Sequence, residues 1–304
     1  MLAVICPGQG AQAPGMLSPW LEMPSVAEHI AASSEAAGLN LAAHGTTSDA
    51  DAIRDTAVAQ PLLVATALAT ARALLGPVTP AVAAGHSVGE FAAAALAGVF
   101  SDADAMRLVS VRANAMAGAA AASEPTSMAA ILGGDPDEVL ATLAGFGLTP
   151  ANVNGGGQVV AAGAKASIAR LLAAPPAKAR VIELQVAGAF HTSYMEPAVA
   201  TLGAAAAEVA VGDPSAILLS NADGTRVATG AEAVRRMVAQ VANPVRWDLC
   251  QETMLAVGVT AIIEAAPGGV LTGLAKRSMP GIPCVALKTP ADLEAARDLM
   301  EQNS

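Results

Sequence analysis

Aromatic side chains are nearly missing from this sequence: two tryptophans, one tyrosine and four phenylalanines make up 2% of 304 residues. With 54% of the chain hydrophobic, alanine and valine must fill much of the core, so helices and strands can pack closely. Charge is also sparse, at 14%, and long polar runs are absent, which excludes a disordered chain. Basic residues are the scarcer sign, 16 against 26 acidic, for a net charge of −10. Phosphate backbones repel such a surface, so nucleic acid is not expected as a partner. The three cysteines, Cys6, Cys250 and Cys284, lie far apart without metal-ligand spacing. They read as free thiols in a reducing cytosol, and no metal site is expected.

No basic residue precedes Arg54, so the N-terminal stretch has neither the positive n-region of a secretory signal nor the arginines of a transit peptide. The longest apolar stretch of helical character, residues 61–75, contains threonines and falls short of the ~20 residues of a membrane span. A soluble cytoplasmic protein with no membrane partner is expected.

What is present is an alternation of short apolar runs and helical patterns. Residues 2–6 form an uninterrupted apolar run ending at Pro7-Gly8, read as a buried strand and a loop. The following Gly8-Gln9-Gly10-Ala11-Gln12 does not fit the phosphate-binding glycine patterns. Helices are predicted over 26–37 and 60–75, a strand over 81–84, and a helix from the turn at 85–89 to about 97. Ser101 and Asp104 form a capping box for a helix running to about Met116. Residues 127–186 read as strand, helix, two strands joined at Asn154-Gly155-Gly156-Gly157, helix and strand, the ferredoxin-like β-α-β-β-α-β order. After it, helix and strand alternate to the end. The expected fold is α/β: a hydrolase-like parallel-sheet core of residues 1–124 and 188–304, with an inserted ferredoxin-like small domain of residues 125–187.

Chemistry concentrates at Gly85-His86-Ser87-Val88-Gly89, between a strand and a helix. That is the setting of a nucleophile elbow, with Ser87 at the head of a helix where the Val88 N–H can meet an oxyanion. A serine hydroxyl needs a base, and there are four histidines. His29 and His44 lie in early segments without a turn to place them, and His86 adjoins the serine on a sharp turn. His191 lies where the small domain rejoins the large one, a position suited to a cleft, so elimination favours it. No histidine follows His191, so the serine–acid–histidine order of an ordinary α/β-hydrolase is hard to build. A Ser-His dyad oriented by a backbone carbonyl or an amide fits better. A thioesterase using the same elbow, and a non-catalytic carrier-binding scaffold, are the rival readings.

Taken together, Pro7-Gly8-Gln9-Gly10-Ala11-Gln12, Gln60-Pro61, the elbow with Glu90, Arg112, Asn152-Val153-Asn154, Gly188-Ala189-Phe190-His191, Asn243-Pro244-Val245-Arg246-Trp247 and Pro267-Gly268-Gly269-Val270-Leu271 resemble the malonyl-CoA:acyl carrier protein transacylase family over nearly the whole chain. The resemblance implies that Ser87 attacks a malonyl thioester from malonyl-CoA and His191 is its base. It implies that the N–H groups of Gln9 and Val88 form the oxyanion hole, that Arg112 pairs with the malonyl carboxylate, and that the Gln240 carbonyl orients the histidine. Gln60, His86 and Asn154 would support the site or line the pocket. Phe190, just before the histidine, would fill the space of an α-methyl group and so favour malonyl over methylmalonyl. The acceptor would be the phosphopantetheine thiol of acyl carrier protein, with no bound cofactor and a monomeric enzyme. An acidic carrier calls for a local basic patch on an acidic chain, for which Lys178 with Arg180, Arg235 with Arg236 and Lys276 with Arg277 are candidates.

Overall fold

The computed structural model describes residues 1–303. Its strands are β1 (Leu2–Cys6), β2 (Val82–Gly85), β3 (Thr126–Gly133), β4 (Thr149–Gly155), β5 (Gln158–Ala164), β6 (Ala179–Leu184), β7 (Ile217–Leu219), β8 (Arg226–Val227), β9 (Val245–Arg246), β10 (Ala261–Glu264) and β11 (Cys284–Ala286). Its α-helices are α1 (Pro24–Ala37), α2 (Leu41–Thr46), α3 (Thr56–Leu75), α4 (Gly89–Leu96), α5 (Asp102–Ala122), α6 (Pro136–Gly145), α7 (Lys165–Ala173), α8 (Glu196–Ala207), α9 (Gly230–Gln240), α10 (Trp247–Ala256), α11 (Val270–Ser278) and α12 (Asp292–Glu301).

Six strands form one sheet in the order β11-β10-β1-β2-β7-β8, parallel except for the antiparallel edge pair β7–β8. Helices cover both faces, which is why β1 reads as a continuous apolar run rather than an alternating one. Val4, Cys6 and Ala83 turn to the layer of α3 and α4, while Ala3, Ile5 and Val82 turn to Trp247, Leu271 and Leu274. Helix α3 has the length and hydropathy of a membrane span, yet 83% of its most apolar stretch is buried in the core. Two of its buried threonines are satisfied inside: Thr66 donates to the Leu62 carbonyl at 2.7 Å, and Thr70 donates to that of Thr66 and accepts from Ala266 N–H. Arg72 on α3 forks onto Asp102 at the head of α5 (2.8 and 3.1 Å), tying the two long helices together.

The segment from β3 to β6 adopts the strand order β6-β3-β5-β4, antiparallel throughout, with its helices on one face. Val139, Leu143, Ile168 and Leu171 from α6 and α7 pack there on Ala129, Ile131 and Ala161. Met128, Ala130 and Val160 on the other face join the main core. Two strands, the two-residue β8 and β9, are not legible in the sequence. β9, far downstream, pairs in parallel with β4 (Asn152 with Val245, Val153 with Arg246), so this sheet has five strands and draws on both parts of the chain. A two-residue strand carries no hydrophobic period of its own.

The capping box forms as expected: Ser101 Oγ accepts from Asp104 N–H at 3.0 Å and donates to its carboxylate. Helix α5 continues to Ala122 instead of ending near Met116, because its alanines are strong helix formers and the lone Gly118 is tolerated. Helix α8 starts at Glu196, directly after a 3-10 turn over Ser193–Met195.

Candidate active site

Ser87 sits between the C-terminal end of β2 and the first turn of α4 with φ of 53°, a left-handed conformation that costs a non-glycine residue on the order of 1–3 kcal/mol. The flanking glycines permit it. A methyl group on Gly85 would collide with the Gly89 carbonyl, and one on Gly89 with the carbonyls of Cys6 and Pro7. The turn is further pinned by Asn221, just beyond β7. Its side-chain oxygen accepts from Ser87 N–H at 2.7 Å, and its amide donates to the Gly85 carbonyl at 2.8 Å.

His191 faces the serine, with Nε2 2.7 Å from Ser87 Oγ. Its Nδ1 lies 2.8 Å from the Gln240 carbonyl. A carbonyl only accepts, so Nδ1 carries the proton, and Nε2 presents its lone pair to the serine hydroxyl. Burial, with Arg112 nearby as the second cause, pushes the imidazole down to about 3, so it is neutral across the physiological range. The expected dyad geometry is present, with a carbonyl where a hydrolase would use a carboxylate.

Arg112, midway along α5, is fully buried. Its Nη1 donates to Gln60 Oε1 at 2.6 Å, and its Nη2 to Gln240 Oε1 at 3.0 Å and toward Ser87 Oγ at 3.4 Å. Its Nε–H has no partner. Burial depresses even this guanidinium, to about 10, with the charge of Glu90 opposing the shift. The nearest compensation is Glu90, the lone acid of a helix otherwise filled by apolar residues. Glu90 accepts from Asn221 N–H at 2.5 Å and from Gln240 Nε2 at 2.6 Å. Burial pushes its carboxyl up, against the pull of Arg112 and of those hydrogen bonds, whose N–H donors meet both oxygens and so select the ionised form.

A cleft of about 270 Å³ opens above the serine. Gln9, Gln60, His86, Ser87, Phe190 and His191 line it, as does Asn154 from β4. Val88, Arg112 and Gln240 lie outside that lining, fully or almost fully buried. Met116, Met128, Val160, Leu184 and Leu274 make most of the wall apolar. Among the described residues, neither Gln9 nor Val88 donates its backbone N–H to a protein acceptor. Asn154 ties β4 to the elbow: its Oδ1 lies 2.9 Å from His86 Nε2, while its amide donates to Gln158 at 3.0 Å. That pairing assigns the His86 proton to Nε2, and burial lowers the basicity of the ring.

All ten residues singled out in the sequence therefore converge on one locus. Two of its most connected members, Asn221 and Glu90, had no role assigned. Both leave a trace in the sequence: Asn221 closely follows the apolar run of β7, and open α/β sheets place their sites at such strand ends, and Glu90 is a single charge in an apolar helix. One basic pair is less free than expected, since Arg236 is engaged by Asp223 and Glu232 (2.6 and 2.7 Å).

The acyl transferase domain family matches residues 4–286. The malonyl CoA-acyl carrier protein transacylase of Mycobacterium tuberculosis (strain ATCC 25618 / H37Rv) is 51% identical over 303 residues, covering 98% of this chain and all of the relative. The crystal structure of MCAT from Mycobacterium tuberculosis superposes with a TM-score of 0.92, at 51% identity, over 97% of this chain and 99% of that one. A malonyl-transacylase solved in complex with its type II PKS acyl-carrier protein gives 0.91 at 31% identity, covering 99% of both chains. By sequence and by fold, the chain belongs to the acyl transferase domain family.

Proposed function

We propose that this enzyme moves a malonyl group from malonyl-CoA to the phosphopantetheine thiol of an acyl carrier protein, through a malonyl ester on Ser87. The observation that carries the reading is one short chain of contacts. His191 Nε2 lies 2.7 Å from Ser87 Oγ, and a buried guanidinium reaches the same oxygen at 3.4 Å. The first pair makes an acyl-accepting nucleophile, and the guanidinium selects an acyl group that carries its own anion.

In the first half-reaction His191 Nε2 takes the Ser87 proton as Oγ attacks the thioester carbonyl. The oxyanion is met by the N–H groups of Gln9 and Val88, the latter at the head of α4. The C–S bond breaks, and the imidazolium returns the proton to the departing CoA thiolate. In the second half-reaction the carrier thiol gives its proton to His191, attacks the ester carbonyl, and Ser87 leaves with that proton. Arg112 holds the malonyl carboxylate, which would otherwise be an unpaired charge in a largely apolar cleft. Phe190 occupies the space of a substituent on the malonyl α-carbon. Gln60 and Gln240 hold Arg112, and His86 with Asn154 joins the elbow to the opposite wall.

The two walls correspond to an acyltransferase lobe of residues 1–124 and 188–304 and an inserted lobe of residues 125–187, a division that places the cleft at their seam. The mechanism draws on no resident cofactor, and a monomer in the cytoplasm completes the proposal. Intact-mass measurement after mixing with malonyl-CoA tests it. A malonyl adduct is expected on the wild type and not on Ser87→Ala, and the adduct should pass to added holo carrier protein. No adduct, an adduct that survives Ser87→Ala, or release mainly as free malonate with carrier present would each overturn it.

A further inference from the structure

Gln240 is the junction of the site. Its backbone carbonyl holds His191, while its side-chain amide lies between Glu90 and Arg112. The orientation of that amide is dictated from one side. Nε2 lies 2.6 Å from a Glu90 oxygen and 3.1 Å from both the Ser87 carbonyl and Asn221 Oδ1, all acceptors. Oε1 then faces Arg112 Nη2, a donor, at 3.0 Å. Turned over, the amide would set its oxygen against three acceptors and its NH2 against a guanidinium. The other Glu90 oxygen is committed to Asn221 N–H, so the carboxylate cannot swing away to accommodate that arrangement. Glu90 is 4% exposed and lies outside the cleft lining, out of contact with substrate.

We propose that Glu90 is a positioning residue for acyl selection: its carboxylate fixes the Gln240 amide, whose Oε1 holds the Arg112 guanidinium beside Ser87. This rests on the reading that Arg112 receives the malonyl carboxylate. The chain of dependence is specific, because it requires a group at position 90 that accepts on both oxygens. Glu90→Gln preserves shape and reverses that property. Its NH2 must face either the Asn221 N–H or the Gln240 amide, and the second choice drives Gln240 over and turns a donor toward Arg112.

The experiment compares kcat/KM for acylation of Ser87 by malonyl-CoA and by acetyl-CoA, which lacks the carboxylate. In Glu90→Gln the malonyl-to-acetyl ratio is expected to fall at least tenfold, with KM for malonyl-CoA rising. Gln240→Met removes the bridging amide, keeps the backbone carbonyl that holds His191, and should lower the ratio in the same way. Glu90→Asp remains an acceptor on both oxygens and should recover part of the ratio. A wild-type ratio in Glu90→Gln, or equal losses for the two acyl groups, overturns the proposal. If Glu90→Gln does not fold, Gln240→Met decides alone. Failure of the wild type to form a malonyl adduct is a different result and counts against the transferase reading instead.

Discussion

Lowering the pH should leave the first half-reaction almost untouched until well below 6, and this can be worked out from the surroundings of His191. An imidazole at its ordinary value near 6.5 is about nine-tenths neutral at pH 7.5 and about one-tenth neutral at pH 5.5, so a dyad built on it loses roughly tenfold over that interval. Here burial, and secondarily Arg112, hold the ring down to about 3. The neutral fraction then changes by less than about 1% over the same interval. The assay is single-turnover acylation of Ser87, read as kcat/KM, which reports groups of the free enzyme. An acetyl-pantetheine thioester removes the ionisation of CoA itself and calls on neither Arg112 nor Glu90, so the rate reports the dyad alone. A rate that is flat from pH 7.5 to 5.5 is expected, and an ascending limb centred between 6 and 7 would refute the reasoning. The sign for stability follows from the same shift. The unfolded chain binds the proton that the folded ring refuses, so acidification from 6.5 toward 3 destabilises the fold, and nothing is lost above 6.5.

Three further outcomes are expected. Arg112→Ala would remove the proposed partner of the malonyl carboxylate, so malonyl acylation should drop at least about 100-fold while acetyl acylation drops far less; equal losses count against its role. Phe190→Ala should admit methylmalonyl-CoA, raising its kcat/KM relative to malonyl-CoA by about 10–200-fold, the range that one methyl group in a pocket supports, as read in a competition assay. Gly89→Ala places a methyl group against the carbonyls of Cys6 and Pro7; backbone cannot step aside, so a loss of about 3 kcal/mol in urea denaturation is expected.

The parts of the fold that announce themselves in the sequence are those with a period or a cap. β1 is an unbroken apolar run because both faces of its sheet are covered, and α5 begins where Ser101 and Asp104 close their box. The order β3-α6-β4-β5-α7-β6 is legible for the same reason. β9 is not, since its two residues carry no period and pair with β4, far away in the chain. The site divides along similar lines. Ser87 is marked by glycines that its backbone requires, and His191 by the scarcity of histidine. The lattice of Glu90, Asn221 and Gln240 is made of side chains from three elements whose approach is tertiary. Residue type at one position carries no sign of it beyond a charge in an apolar helix.

The carbonyl behind His191 bears on which reactions the site can perform. A carboxylate in that place would stabilise the imidazolium by a full charge, whereas the Gln240 carbonyl supplies a dipole and Arg112 opposes the charge outright. The resulting base is weak. Splitting an amide, whose departing amine must be protonated, would be out of its reach. A thioester asks less, because the thiol leaves as a thiolate whose conjugate acid sits near 8.5, and the incoming thiol gives up its proton as readily. In the second half-reaction water competes at a disadvantage, because it holds its proton far more tightly than the incoming thiol does. A dyad with a carbonyl in third place is thus suited to exchange between two thiols in a cleft whose walls are mostly apolar. Replacing the carbonyl's effect with a nearby acid would be expected to raise hydrolysis more than transfer.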